Sequence, residues 1–160
     1  MREPGLADGI IAATLEGAGD TPVTLKMRLG WDHDLLNAPE IATRAVERGV
    51  ELITVHGRTR CQFYKGEADW GAIKSTVDAV RVPVIANGDI RTVEDAINAQ
   101  TASGAFGVMI GRAAMGQPWL IGEIAARLTG TRFETPDLMQ QLDGLCEQIE
   151  DSLALYGAKL

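Results

Sequence analysis

The chain has 160 residues, 46% of them hydrophobic and 23% charged, with a formal net charge of −7. That length suits one domain with a real core, and no apolar run approaches the length of a membrane span. The acidic balance argues against a broadly basic, nucleic-acid-coating surface, although Arg28, Arg44, Arg48, Arg58, Arg60 and Lys65 gather in the first half while many acids fall on expected helix faces and in the tail.

In chain order, residues 4–16 read as a helix: Pro4 suits a first turn, and Leu6, Ile10 and Ala13 keep one face. Pro22 leads into a strand at 23–28. Pro39 opens a helix through Ile41, Ala42, Ala45 and Val46, and Gly49 closes it. Residues 50–55 form the next strand. Asp69 is placed to cap a helix carrying Trp70, Ile73, Val77 and Val80. Pro83 precedes a short strand at 84–86, where a missing N–H does least harm. Thr92 caps a short helix to about Gln100, and residues 105–110 form the fourth strand. Pro118 begins a helix with Trp119, Ile121, Ile124 and Leu128. Thr135-Pro136-Asp137 is a further helix start, and Leu138, Leu142, Leu145, Ile149 and Leu153 follow at helical spacing.

Strand starts recur roughly every 25–30 residues, the length of a strand–helix unit. The fold expected is α/β: half of a TIM (β/α)8 barrel, with about four parallel strands over residues 1–130, plus the start of an appended helical part over 131–160. A closed barrel has eight strands, and four leave two open edges with unpaired backbone groups. The chain therefore reads as a fragment, or as a half that needs a partner.

The ends of the four apolar runs carry the chemistry. Lys26 and Arg28 share one face of the first strand, and a buried, unpaired ammonium is costly, so Lys26 needs an anion or electron-rich acceptor unless that face is exposed. His56 ends the second strand beside Gly57, Arg58 and Arg60. It is a structural histidine or a functional one, and Arg58 and Arg60 either bind phosphate, pair with Glu67 and Asp69, or sit in solvent. Asn87-Gly88-Asp89 follows the third strand; Gly88 permits a tight turn and close approach, though Asn-Gly is also an ordinary turn signal. Gly111-Arg112 follows the fourth strand, and small Ala113 and Ala114 leave room for a phosphate at backbone N–H groups and one guanidinium. Together these loops match the phosphate corner of such barrels, after strands seven and eight. His33 reads as loop surface. Cys61 and Cys146 have no metal spacing and are too few for a disulfide framework, which fits a reducing compartment. Met1-Arg-Glu-Pro-Gly carries no apolar leader core, so the expected location is the cytoplasm, with no membrane partner and no metal.

Lys26-Met-Arg-Leu-Gly-Trp-Asp32, His56-Gly-Arg-Thr-Arg60, Asn87-Gly-Asp-Ile90 and Gly111-Arg-Ala-Ala-Met-Gly-Gln-Pro-Trp119 together resemble the bacterial tRNA-dihydrouridine synthases, the B-type branch in particular. The resemblance covers nearly the whole chain, in the family's motif order. It implies an FMN-bearing barrel followed by a helical domain that grips tRNA, and reduction of the C5–C6 bond of uridine with NADPH as electron source. It implies that Lys26 lies by the pyrimidine edge of the flavin and His56 near the ring. Asn87, Gly88 and Asp89 would meet ribityl and phosphate, and Gly111 and Arg112 the phosphate. Arg28 and Arg58 are candidates for the flipped uridine or neighbouring RNA phosphates.

The family's general-acid cysteine lies in an Asn-x-Gly-Cys-Pro motif on an earlier strand, and Cys61 does not match that position, so no catalytic residue is assigned here. The isolated chain is expected to be inactive as a synthase and to self-associate. The alternatives are a non-catalytic phosphate- or RNA-binding half-barrel, or a different FMN-dependent pyrimidine oxidoreductase.

Overall fold

The computed structural model describes residues 1–157; the last three positions of the appended segment expected over 131–160 lie outside the described residues. Six α-helices and four strands follow one another: α1 Pro4–Ala18, β1 Thr24–Arg28, α2 Ala38–Arg48, β2 Leu52–His56, α3 Lys74–Ala79, β3 Val84–Asn87, α4 Val93–Ser103, β4 Gly107–Met109, α5 Leu120–Thr129 and α6 Leu138–Tyr156. Short 3-10 turns occupy Gly71–Ile73 and Arg112–Ala114.

All four strands are parallel, in the order β1-β2-β3-β4, and the sheet stays open. One face is dry. Met27, Ile53, Val55, Val84 and Ala86 pack there against Ile41, Ala42 and Ala45 of α2 and against Ile73. A second cluster joins Ile90, Ala96 and Ala99 to Leu120 and Ile124, so α4 and α5 lock the last two units together. Because strand side chains alternate, the opposite face carries Lys26, Arg28, His56 and Asn87.

Local signals set most helix ends. Pro39 sits in the first turn of α2, and Gly49 ends it in the left-handed conformation with its N–H on the carbonyls of Ala45 and Val46. Thr92 and Asp95 form a reciprocal capping box on α4, as Asp137 and Gln140 do on α6.

Three expectations are corrected. The face of α1 that is buried belongs to Ile11; Leu6 and Ile10 are exposed. Asp69 caps only a 3-10 turn, through Ala72 N–H, and the α-helix begins later, at Lys74, and stops before Val80. The fourth strand is Gly107–Met109, shorter than the apolar run suggests, with Phe106 left exposed.

Candidate functional site

Strand register builds the site. Arg28 pairs with His56, His56 with Asn87, and Asn87 with Met109, so the carboxyl ends of all four strands finish on one row. Lys26, two residues back, shares their face. Asn87 Nδ2–H donates to the Met109 carbonyl at 2.8 Å and ties the last two strand ends together. A cavity of about 600 Å³ lies over this row, lined by Lys26, Arg28, His56, Asn87, Gly88, Asp89, Gly111 and Arg112, with Tyr64, Ile90, Arg91, Met109 and Ala113. Eight of the residues singled out from sequence thus converge. The ninth, Arg58, does not line it.

Arg58 lies behind the row, only 3% exposed. Its fork meets the Asp89 carboxylate twice, Nη1–H on Oδ1 at 3.0 Å and Nη2–H on Oδ2 at 2.6 Å. It also donates to the carbonyls of Lys65 and Gly66 and to His56 Nε2. Both candidate pairings with Glu67 and Asp69 give way to Asp89, which comes from the next strand end. Expected as an RNA contact, Arg58 instead has its guanidinium committed inside the protein. Removing one partner of such a buried pair costs about 3–5 kcal/mol, because a charge is left stranded.

Asp89 is correspondingly a structural carboxylate. Partial burial opposes its ionisation, but hydrogen bonds from Arg58 and the Ala68 N–H, with the charges of Arg58 and Arg91, outweigh that and hold the carboxyl below its usual range. It also adopts a left-handed φ of 54°, uncommon for a residue with a side chain, which the pairing with Arg58 holds in place. Gly88 beside it has φ 115°; a Cβ there would lie 2.6 Å from His56 Cδ2 and 2.8 Å from Ala68 Cβ. Its carbonyl accepts from Trp70 Nε1–H at 2.7 Å. Gly88 therefore packs against His56 as well as turning the chain.

Lys26 stands exposed on the open face, with no hydrogen-bond or ion-pair partner among the described residues. Partial burial, then repulsion from Arg28, pulls its pKa below the ordinary lysine value. His56 is held lower still, to about 4, by burial first and then by Arg28, Lys26 and Arg58, with Asp89 opposing. It is a neutral imidazole at pH 7.

Arg28 is partly committed: Nη1–H groups donate to the carbonyls of Thr59 and Phe63, both at 2.7 Å. With Arg58 on Lys65 and Gly66, two guanidinium groups fold the 57–66 loop over the row. This brings Tyr64 to the cavity, where the Arg112 guanidinium stacks 4.8 Å from its ring centre and that of Arg28 lies 5.9 Å away. Sequence reasoning missed Tyr64 and Arg91, because the loop that carries Tyr64 to the cavity is held by contacts far apart in sequence. Cys61 and His33 are exposed and outside the cavity lining, and Cys146 is exposed on α6.

The dihydrouridine synthase family model matches residues 1–159. A probable tRNA-dihydrouridine synthase from Rhodobacter capsulatus is 52% identical over 161 residues, covering 100% of this chain and 49% of that protein. A tRNA-dihydrouridine synthase B from Xanthomonas campestris pv. campestris is 44% identical over 158 residues, covering 98% of this chain and 47% of the other. The chain spans about half the length of the curated relatives it matches. Among solved structures, the N-acetylmannosamine-6-phosphate 2-epimerase from Clostridium perfringens aligns with a TM-score of 0.50 at 18% identity, over 75% of this chain and 48% of that one. That likeness concerns the fold alone: these strand–helix units are of the TIM-barrel kind.

Proposed function

This chain belongs to the dihydrouridine synthase family, and on that premise we propose that its cavity is the phosphate-side half of an FMN site in a tRNA-dihydrouridine synthase. The whole enzyme would reduce the C5–C6 bond of a tRNA uridine, with NADPH as the electron source. One observation carries the reading: Lys26, His56, Asn87 and Arg112, from four different strand ends, border a single cavity.

The residues present fit FMN. The cavity volume falls in the range of roughly 300–1,000 Å³ usual for cofactor sites. Ile90, Met109 and Ala113 offer an apolar wall for a flat ring, and Lys26, Arg91 and Arg112 offer cations for an anionic group. An unpartnered lysine with a depressed pKa stabilises negative charge brought beside it. Asn87, Gly88 and Asp89 would hold the ribityl chain and phosphate, Asp89 by shaping its loop, since its carboxylate is spent on Arg58. Gly111 and Arg112 would hold the phosphate. When bound and reduced by NADPH, the flavin would supply the hydride.

Arg28, on the cavity wall, remains the candidate for the flipped uridine or a neighbouring phosphate; Arg58 supports the wall from behind. No thiol lines the cavity among the described residues, so the acid that protonates the uracil ring is assigned to another segment. We assign α6 to the start of the helical tRNA-gripping domain, and cover for the open sheet to further barrel strands.

Titrating the 160-residue chain with FMN and following flavin fluorescence tests this. Saturable quenching is expected, and Lys26→Met is expected to weaken it by roughly ten- to a hundredfold, in line with roughly 1.5–3 kcal/mol for a charge-assisted hydrogen bond. Little dihydrouridine is expected from tRNA and NADPH with this chain alone. A colourless protein that binds tRNA at low salt, with no flavin affinity, would replace the reading with a non-catalytic half-barrel. Reduction of free pyrimidines in preference to tRNA would replace it with another FMN-dependent oxidoreductase.

A further inference from the structure

We propose that Arg58 is a positioning residue that fixes the tautomer of His56: its clamped guanidinium donates to Nε2, so the neutral ring carries its proton on Nδ1. A guanidinium has five N–H donors and no acceptor. All of them are spoken for at Arg58: Nε–H on the Lys65 carbonyl at 3.2 Å, Nη1–H on Asp89 Oδ1 at 3.0 Å and on His56 Nε2 at 3.3 Å, and Nη2–H on Asp89 Oδ2 and the Gly66 carbonyl, each at 2.6 Å. Since Arg58 can only donate, Nε2 must present a lone pair. A proton on Nε2 would set N–H against N–H and strand a donor of a side chain that is 3% exposed.

The ring cannot evade the contact cheaply. Its Cδ2–Nε2 edge is packed against Gly88, where even a methyl would come within 2.6 Å of Cδ2 and 2.9 Å of Nε2. The guanidinium cannot swing away either, because Asp89 and two loop carbonyls hold it. Lys26 and Arg28 from β1 and Arg58 from the following loop face the ring with positive charge, and only Asp89 opposes them. A second proton is therefore disfavoured, consistent with a pKa near 4.

His56 consequently acts as a fixed hydrogen-bond donor through Nδ1, which has no partner among the described residues. It does not store a proton at neutral pH. Whatever occupies the cavity is expected to set an acceptor atom, a carbonyl or phosphate oxygen or a ring nitrogen, against it. The inference concerns the same cavity as the flavin reading but needs no ligand for its test, so the two fail separately.

The chain holds two histidines, so ring nitrogens labelled with nitrogen-15 are readily assigned, with His33→Gln to identify His33. At pH 7 the His56 ring is expected to show a protonated Nδ1 and an unprotonated Nε2, with a titration midpoint near 4. A protonated Nε2, or an imidazolium at pH 7, overturns the proposal. The double variant Arg58→Met/Asp89→Leu removes both charges and avoids an orphaned carboxylate. With folding verified by circular dichroism, its His56 is expected to shift toward the Nε2–H form, while burial, Arg28 and Lys26, which remain, keep its titration midpoint low. A ring that stays Nδ1–H in that variant shows that Arg58 does not set the tautomer. Should the double variant not fold, a protonated Nε2 in the parent chain still overturns the proposal.

Discussion

His56 couples the state of the site to pH through its neighbours. Its pKa falls from 6.5 to about 4 on folding, so between those values the unfolded chain binds the extra proton and the folded one does not. Stability therefore rises with pH across that window; it is fully present above 6.5 and lost as pH falls toward 4. The ring is only half-buried, and solvent screening reduces the effect to on the order of 1–2 kcal/mol. Asp89 pulls the same way, since its carboxyl is held below the usual range and its contribution disappears on protonation at lower pH still. The urea midpoint is expected to fall on going from pH 7 to 4.5, and His56→Gln is expected to flatten most of that slope. A midpoint as pH-dependent in the variant as in the parent would show that the imidazole is not the group responsible.

The β3–α4 connection concentrates what non-local packing demands of one element. Gly88 meets His56 and Ala68, Asp89 pairs with Arg58, and Trp70 holds the Gly88 carbonyl. Gly88→Ala combines a strained φ of 115° with a methyl against a ring that Arg58 pins. We expect about 1–3 kcal/mol of lost stability and a displaced His56 ring, read from urea unfolding and imidazole shifts. Gly144→Ala, in α6 with open space around it, is expected to be neutral or slightly stabilising.

The same element shows how far sequence carries. Thr92, Pro39, Gly49 and Asp137 were legible because capping is decided within a few residues. The first three strand ends were legible because apolar runs stopped at Arg28, His56 and Asn87. The buried face of α1 was not, because its alanines and glycines define none, and contact with α2 selects Ile11. Nor were Tyr64 and the partner of Arg58 legible: the 57–66 loop takes its shape from guanidinium groups 31 residues apart in sequence from their partners Thr59 and Asp89.

At the scale of the whole molecule, two kinds of surface are left open. The sheet ends in unpaired edges at β1 and β4, and α6 presents Leu138, Leu142, Leu145, Ile149 and Leu153 along one face with none of its residues buried. The edges are poor templates for a second copy. β1 carries Lys26 and Arg28, like charges that repel across a two-fold contact, and β4 has only three residues. The stripe on α6 is different. Leu145 and Ile149 are each about half exposed, and full burial of such side chains contributes roughly 1.5–3 kcal/mol apiece. Their neighbours on the other faces, Asp143, Glu147 and Glu150, keep the helix amphipathic. Association of this chain is therefore expected to run through α6. Sedimentation of the 160-residue protein is expected to show a concentration-dependent dimer or larger species, and Leu145→Glu/Ile149→Glu to return it to monomer with helicity retained. An unchanged sedimentation coefficient in that variant would move the contact to the strand edges, and a parent protein already monomeric at high concentration would mean that neither surface is sticky enough to matter.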